Sequence, residues 1–148
     1  MLKMASIRSG IGENMEDRYL FKAKRADNGE WVQGYLYGIW EKRYILWGMT
    51  NDVPNMIEVY PPTICQCTGL KDKNGKLIWE NDIVKDKNSN FYIAIWWDDY
   101  YQYCWVCTKS IIEIFVGRKR DLWVITENFE IEVIGNIFDN PELLESEE

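Results

Sequence analysis

The sequence predicts a mainly β protein, a small barrel or roll, and three observations carry that reading. Aromatic residues make up 15% of the 148-residue chain, and side chains of that size need a core to pack against. Short apolar stretches alternate with polar residues at a period of two. Turn-forming pairs such as Asn-Gly and Asp-Asp, with a Pro-Pro break, separate those stretches at close intervals.

Residues 1–14 (MLKMASIRSGIGEN) are short of large apolar side chains and read as a flexible, peripheral leader. Patterned sequence begins after Met15, where Tyr19, Phe21 and Ala23 alternate with Leu20, Lys22 and Lys24. Asp27-Asn28-Gly29 then predicts a hairpin, because both central residues of a type I′ turn need positive φ and Asn-Gly tolerates it. The next strand, EWVQGYLY, sets Trp31, Gln33, Tyr35 and Tyr37 on one face. RYILW at 43–47 and MIEVY at 56–60 follow as strands, and Pro61-Pro62 breaks the sheet because neither residue donates to a ladder.

In the second half, Thr68-Gly69-Leu70 leads to a turn at Asn74-Gly75 and then to Leu77-Ile78-Trp79. Glu80-Asn81-Asp82 turns into Ile83-Val84. FYIAIWW at 91–97 and YCWVC at 103–107 form a hairpin around Asp98-Asp99. SIIEIFV at 110–116 fits strand or helix equally well. LWVI at 122–125 and IEVIGNIF at 131–138 complete the strands. At the end, Asp139 or Asn140 is placed to cap a short helical turn that Pro141 opens and Glu142 favours. No internal repeat stands out.

Composition excludes some chemistry. The net charge of −7 and absence of His disfavour a simple grip on phosphate backbones and remove the commonest general base and metal ligand. No secretory signal precedes the four cysteines, and no apolar run approaches the ~20 residues of a membrane span. The expected setting is a reducing bacterial cytoplasm with free thiols and no membrane contact.

Two signatures, TGLKDKNGKLIWENDIV at 68–84 and EVIGNIFDNPELL at 132–144, resemble those of the YopX family of bacteriophage and prophage proteins. The match runs through Thr68 to Lys76, Ile78, Glu80, Asp82-Ile83-Val84, Glu132 to Ile137 and Asn140 to Leu144. NGEWVQGYL at 28–36 is similar to the family's opening hairpin. Asn81 stands where the family usually has Gly, and Asn is the residue that best keeps a left-handed turn after Gly. The resemblance implies an SH3-type β-barrel preceded by an N-terminal β lobe, and it implies no reaction. The expected organisation is the leader 1–14, an N-terminal β lobe over 15–65, an SH3-like barrel lobe over 66–138, and a helical turn with an acidic tail over 139–148.

Four groups of residues are candidates for function. Cys65, Cys67, Cys104 and Cys107 fit a Cys₄ zinc site by number, but in strands i and i+2 share a face and i and i+3 do not, so core filling is favoured and no metal or cofactor is expected. Asp98-Asp99, with Glu80 and Asp82 elsewhere, suits turn chemistry better than acid–base catalysis, and no enzyme is expected. Arg118, Lys119 and Arg120, after Gly117, form the only basic run, a solvated loop or a weak nucleic-acid contact. Trp96, Trp97, Tyr100, Tyr101, Tyr103 and Trp105 are the densest aromatic cluster and the candidate protein interface. The favoured function is a non-enzymatic phage or prophage accessory protein acting through contacts with a host or phage protein or with a second copy of itself. A nucleic-acid-binding accessory protein is the alternative.

Overall fold

The computed structural model of the chain describes residues 17–110, 115–121, 126 and 129–145. The chain divides into two compact units between Gly69 and Leu70. The first is an antiparallel meander of β1 (Phe21–Lys24), β2 (Trp31–Ile39), β3 (Lys42–Thr50) and β4 (Val53–Glu58). β5 (Cys65–Lys71) lies along the free side of β1 and carries the chain over the division. An isolated bridge joins Arg25 to Val59, and the Tyr60 N–H donates to the Lys24 carbonyl at 2.8 Å. The sheet therefore curls until the residues after β4 reach the end of β1. Its inner face carries buried Ala23, Ile45 and Val59, with Phe21, Val32, Ile57 and Ile64 against them. Trp31, Gln33, Tyr35 and Tyr37 share the opposite, outer face by alternation along β2.

Turn geometry departs from expectation in one way. Asn28-Gly29 is not a type I′ pair, since only Gly29 has positive φ, 76°. The loop is longer, closed by Gly29 N–H to the Arg25 carbonyl and by Glu30 N–H to Asn28 Oδ1. The pair with positive φ at both residues is Asn51-Asp52, 52° and 63°, between β3 and β4. Pro61-Pro62 does break the sheet, as the opening of a 3-10 turn, Pro61–Thr63.

The second unit contains β6 (Leu77–Trp79), β7 (Asp82–Lys85), β8 (Phe91–Trp97), β9 (Gln102–Lys109), β10 (Lys119–Asp121) and β11 (Glu132–Asn136). The last five form one antiparallel sheet in the order β10-β9-β8-β7-β11. Its core is Ile78, Val84, Tyr92, Ala94, Trp105, Cys107 and Ile131. Asn81 has φ 70°, the left-handed conformation expected of it, and its N–H donates to the Ala94 carbonyl at 2.7 Å.

Three expectations need correction. A closed barrel is not formed among the described residues: β10 and β11 end their sheet with no ladder between them, and β10 has only three residues with which to extend it. Lys119 and Arg120 are not in a loop, because they pair with Val106 and Trp105 of β9. A short repeat also exists. Asp72-Lys73-Asn74 and Asp86-Lys87-Asn88 form the same loop, each Asp Oδ1 accepting from the N–H groups two and four residues ahead. Both loops hold the approach to β11, through Lys73 N–H to the Ile131 carbonyl and Lys87 N–H to the Phe129 carbonyl.

At the C-terminal end a single 3-10 turn spans Pro141–Leu144. Asn140 stands at its N-cap without a side-chain cap bond; its Oδ1 accepts instead from the Asn136 N–H at 3.2 Å. The leader, the tail 146–148, LWVI at 122–125 and residues 111–114 of the ambiguous stretch lie outside the described residues.

Candidate binding surface

The β8–β9 hairpin places all six aromatic candidates. Cross-strand register pairs Tyr92 with Cys107, Ala94 with Trp105, and Trp96 with Tyr103, all on one face. The first two pairs are buried in the core, and the third emerges from it at the hairpin end. Trp105 is therefore core, not interface. Its indole fills the centre of the sheet and its Nε1–H donates to Thr126 Oγ1 at 3.2 Å.

The other five gather around the turn. Trp96 is 42% exposed, Tyr100 64% and Tyr101 82%, while Trp97 and Tyr103 are half-buried. The rings support each other edge-to-face, Trp96 on Tyr103 at 5.1 Å and Trp97 on Tyr100 at 4.5 Å between centroids. The left-handed residue of this turn is Tyr101, φ 52°, rather than either aspartate. A bulky residue in that conformation is uncommon and carries strain.

The basic run does not stand apart from this cluster. β10 lies on β9, and Lys119 Nζ sits 5.6 Å from the Trp97 ring centre, within cation–π range. Beside it, Gln102 Nε2–H donates to Asp121 Oδ1 at 2.6 Å. Arg118 and Arg120 are exposed. The structure thus joins one residue of the basic run to the aromatic candidates.

The buried carboxylates have structural partners. Asp86 is buried, and its Oδ2 accepts from Asn90 Nδ2 and from the Tyr92 hydroxyl at 3.1 Å. Asp72 Oδ2 accepts from the Val133 N–H, and Asp82 Oδ2 from the Trp79 N–H. All four cysteines are buried, as thiols rather than disulfides. Cys104 and Cys107 pair with Ile95 and Tyr92 on opposite faces of the hairpin. Burial pushes both of those thiols up, away from the thiolate form that binds metal or attacks carbon. Among the described residues no three His, Cys, Asp or Glu side chains are grouped to hold a metal ion.

Sequence reasoning missed Trp40, 90% exposed at the β2–β3 turn with φ 52°. Arg43 holds that turn, its Nη1 donating to the carbonyls of Trp40 and Lys42, each at 2.9 Å. The available signal was the polar Glu41-Lys42-Arg43 run directly after an apolar strand. Among the described residues the two most exposed aromatics, Trp40 and Tyr101, are thus both left-handed turn residues of hairpins.

Fold and surface together define a mainly β protein of two antiparallel units, one of them ending in an aromatic hairpin tip. The chain belongs to the YopX protein family, whose model matches residues 20–145. The crystal structure of protein EF1440 from Enterococcus faecalis is similar to it at 22% identity and a TM-score of 0.49, over 84% of this chain and 96% of that one. No curated protein matches.

Proposed function

We propose that this protein is a non-enzymatic accessory factor of a bacteriophage or prophage, working in the host cytoplasm through protein contacts, a second copy of itself included. The single observation that carries the reading is the β8–β9 tip, where Trp96, Tyr100 and Tyr101 stand in solvent, the first held by the Tyr103 ring and the second by the Trp97 ring. Aromatic side chains with few rotatable bonds and pre-set positions lose little entropy on binding, which is why they dominate interface energetics. Saturated buried carboxylates, raised thiols and a chain without His support a binding role over a catalytic one. The strand order of the second unit, a four-strand meander whose first strand also takes the last strand, supports an SH3-type reading of that unit.

The test is light scattering on the eluting protein over a range of concentrations, with affinity capture from induced cells alongside. The chain should run above its 17.6 kDa monomer mass or capture a discrete partner. Tyr100→Ala with Tyr101→Ala should weaken either association at least tenfold, about 1.4 kcal/mol. A strict monomer that captures nothing would sink the reading.

A further inference from the structure

We propose a second binding site, for single-stranded nucleic acid, on the outer face of the first unit's sheet. The reading goes beyond the hairpin tip and uses none of its residues. Alternation along β2 brings Tyr35 and Tyr37 to that face, 57% and 45% exposed. On β3, Tyr44 lies directly opposite Tyr37, their rings 6.3 Å apart and tilted by 46°. Same-face residues of a strand are ~6.6–7 Å apart, a spacing that lets an extended single strand lay successive bases on successive rings. Stacking of this kind accepts any base, because every base has a π-face.

Charge chooses the occupant. The chain as a whole carries −7, yet among the described residues this face gathers lysines, Lys22 and Lys24 half-buried and Lys42 exposed. Lys22 and Lys24 pair across the β1–β2 ladder with Gln33 and Trp31, and their ammonium groups sit 4.8 and 5.4 Å from the Trp31 ring centre. Lys42 joins the same face opposite Ile39, with Glu58 as its neighbour at 3.8 Å. Among the described residues, Lys22, Lys24 and Lys42 with Glu58 flank a row of tyrosines. That is the pairing of cationic track and aromatic platform a flexible polyanion with planar bases requires. A second copy laid face to face would instead set lysine against lysine.

The experiment is a fluorescence-anisotropy titration of end-labelled oligo-dT and oligo-U with the full chain, with circular dichroism to check that every variant is folded. Micromolar binding is expected for both probes. Three phosphate contacts at a slope of ~0.7 each predict a roughly 20-fold loss of affinity between ~50 and ~200 mM salt. Tyr35→Ala with Tyr37→Ala should weaken binding at least ~20-fold, whereas Tyr35→Phe with Tyr37→Phe keeps it. Lys22→Glu with Lys24→Glu should weaken it and flatten the salt slope. No binding at ~100 µM protein in low salt overturns the proposal. So does binding that survives the alanine pair but is lost in Arg118→Glu with Arg120→Glu, which would assign it to the basic run. Neither outcome touches the hairpin-tip reading, whose test is protein association.

Discussion

At the scale of single residues, buried carboxylates do the structural work that a quick reading assigns to glycines. Asp86 receives the N–H groups of Asn88 and Asn90, the Asn90 amide and the Tyr92 hydroxyl. Asp86→Ala leaves those donors without an acceptor and should cost about 2–3 kcal/mol in thermal or denaturant unfolding. Tyr92 reports on the same contact. Burial first, and then the charge of Asp86, push its hydroxyl above the ordinary tyrosine value, near 10. The folded chain keeps this proton at a pH where the unfolded chain has lost it, so the contribution is complete below pH ~10 and falls as pH rises further. Tyr92→Phe should therefore flatten the alkaline decline of Tm relative to the parent chain. Asn81 illustrates what could be read in advance. Its left-handed φ, 70°, lies in the region that Asn tolerates best after Gly. The saturation of Asp86 could not be read in advance, because the Tyr92 hydroxyl reaches it from the neighbouring strand rather than from the loop itself.

At the scale of elements, alternation was plain in the sequence, but the direction in which each face points was not. Trp31, Gln33, Tyr35 and Tyr37 share a face as expected, and the curl of the sheet turns that face outward. Composition alone places Trp105 among the interface candidates, yet the register opposite Ala94 buries it. Two glycines mark where strands and turns are tightest. A Cβ at Gly34 would run into the Leu46 carbonyl of β3, and one at Gly135 into the Asn140 side chain. Backbone cannot yield as a side chain can, so Gly34→Ala should cost about 2–3 kcal/mol and Gly135→Ala about 1–2 kcal/mol. Adding Asn140→Ala should make the second substitution cheaper and leave the first unchanged, which a double-mutant cycle of unfolding free energies would read out.

At the scale of the whole molecule, an acidic chain carries two exposed aromatic surfaces of different character. Association of two chains of charge −7 is opposed by repulsion that salt screens. Self-association through the hairpin tip should therefore tighten as salt rises, while nucleic-acid binding on the first unit weakens, and light scattering and anisotropy on one salt series would separate them. Among the described residues no helix is long and apolar enough to cross a membrane. From residue order alone came the β class, the family, the sheet break at Pro61-Pro62 and the turn at Asn81, because period-two alternation, missing donors and left-handed tolerance act within a few residues of chain. Only the tertiary structure decided that no ladder joins β10 to β11 among the described residues, that Arg25 meets Val59, that Lys119 rests on Trp97 and that Trp105 lies in the core. Each of those depends on which distant strand is the neighbour, and local alternation pairs equally well with any partner of the right register.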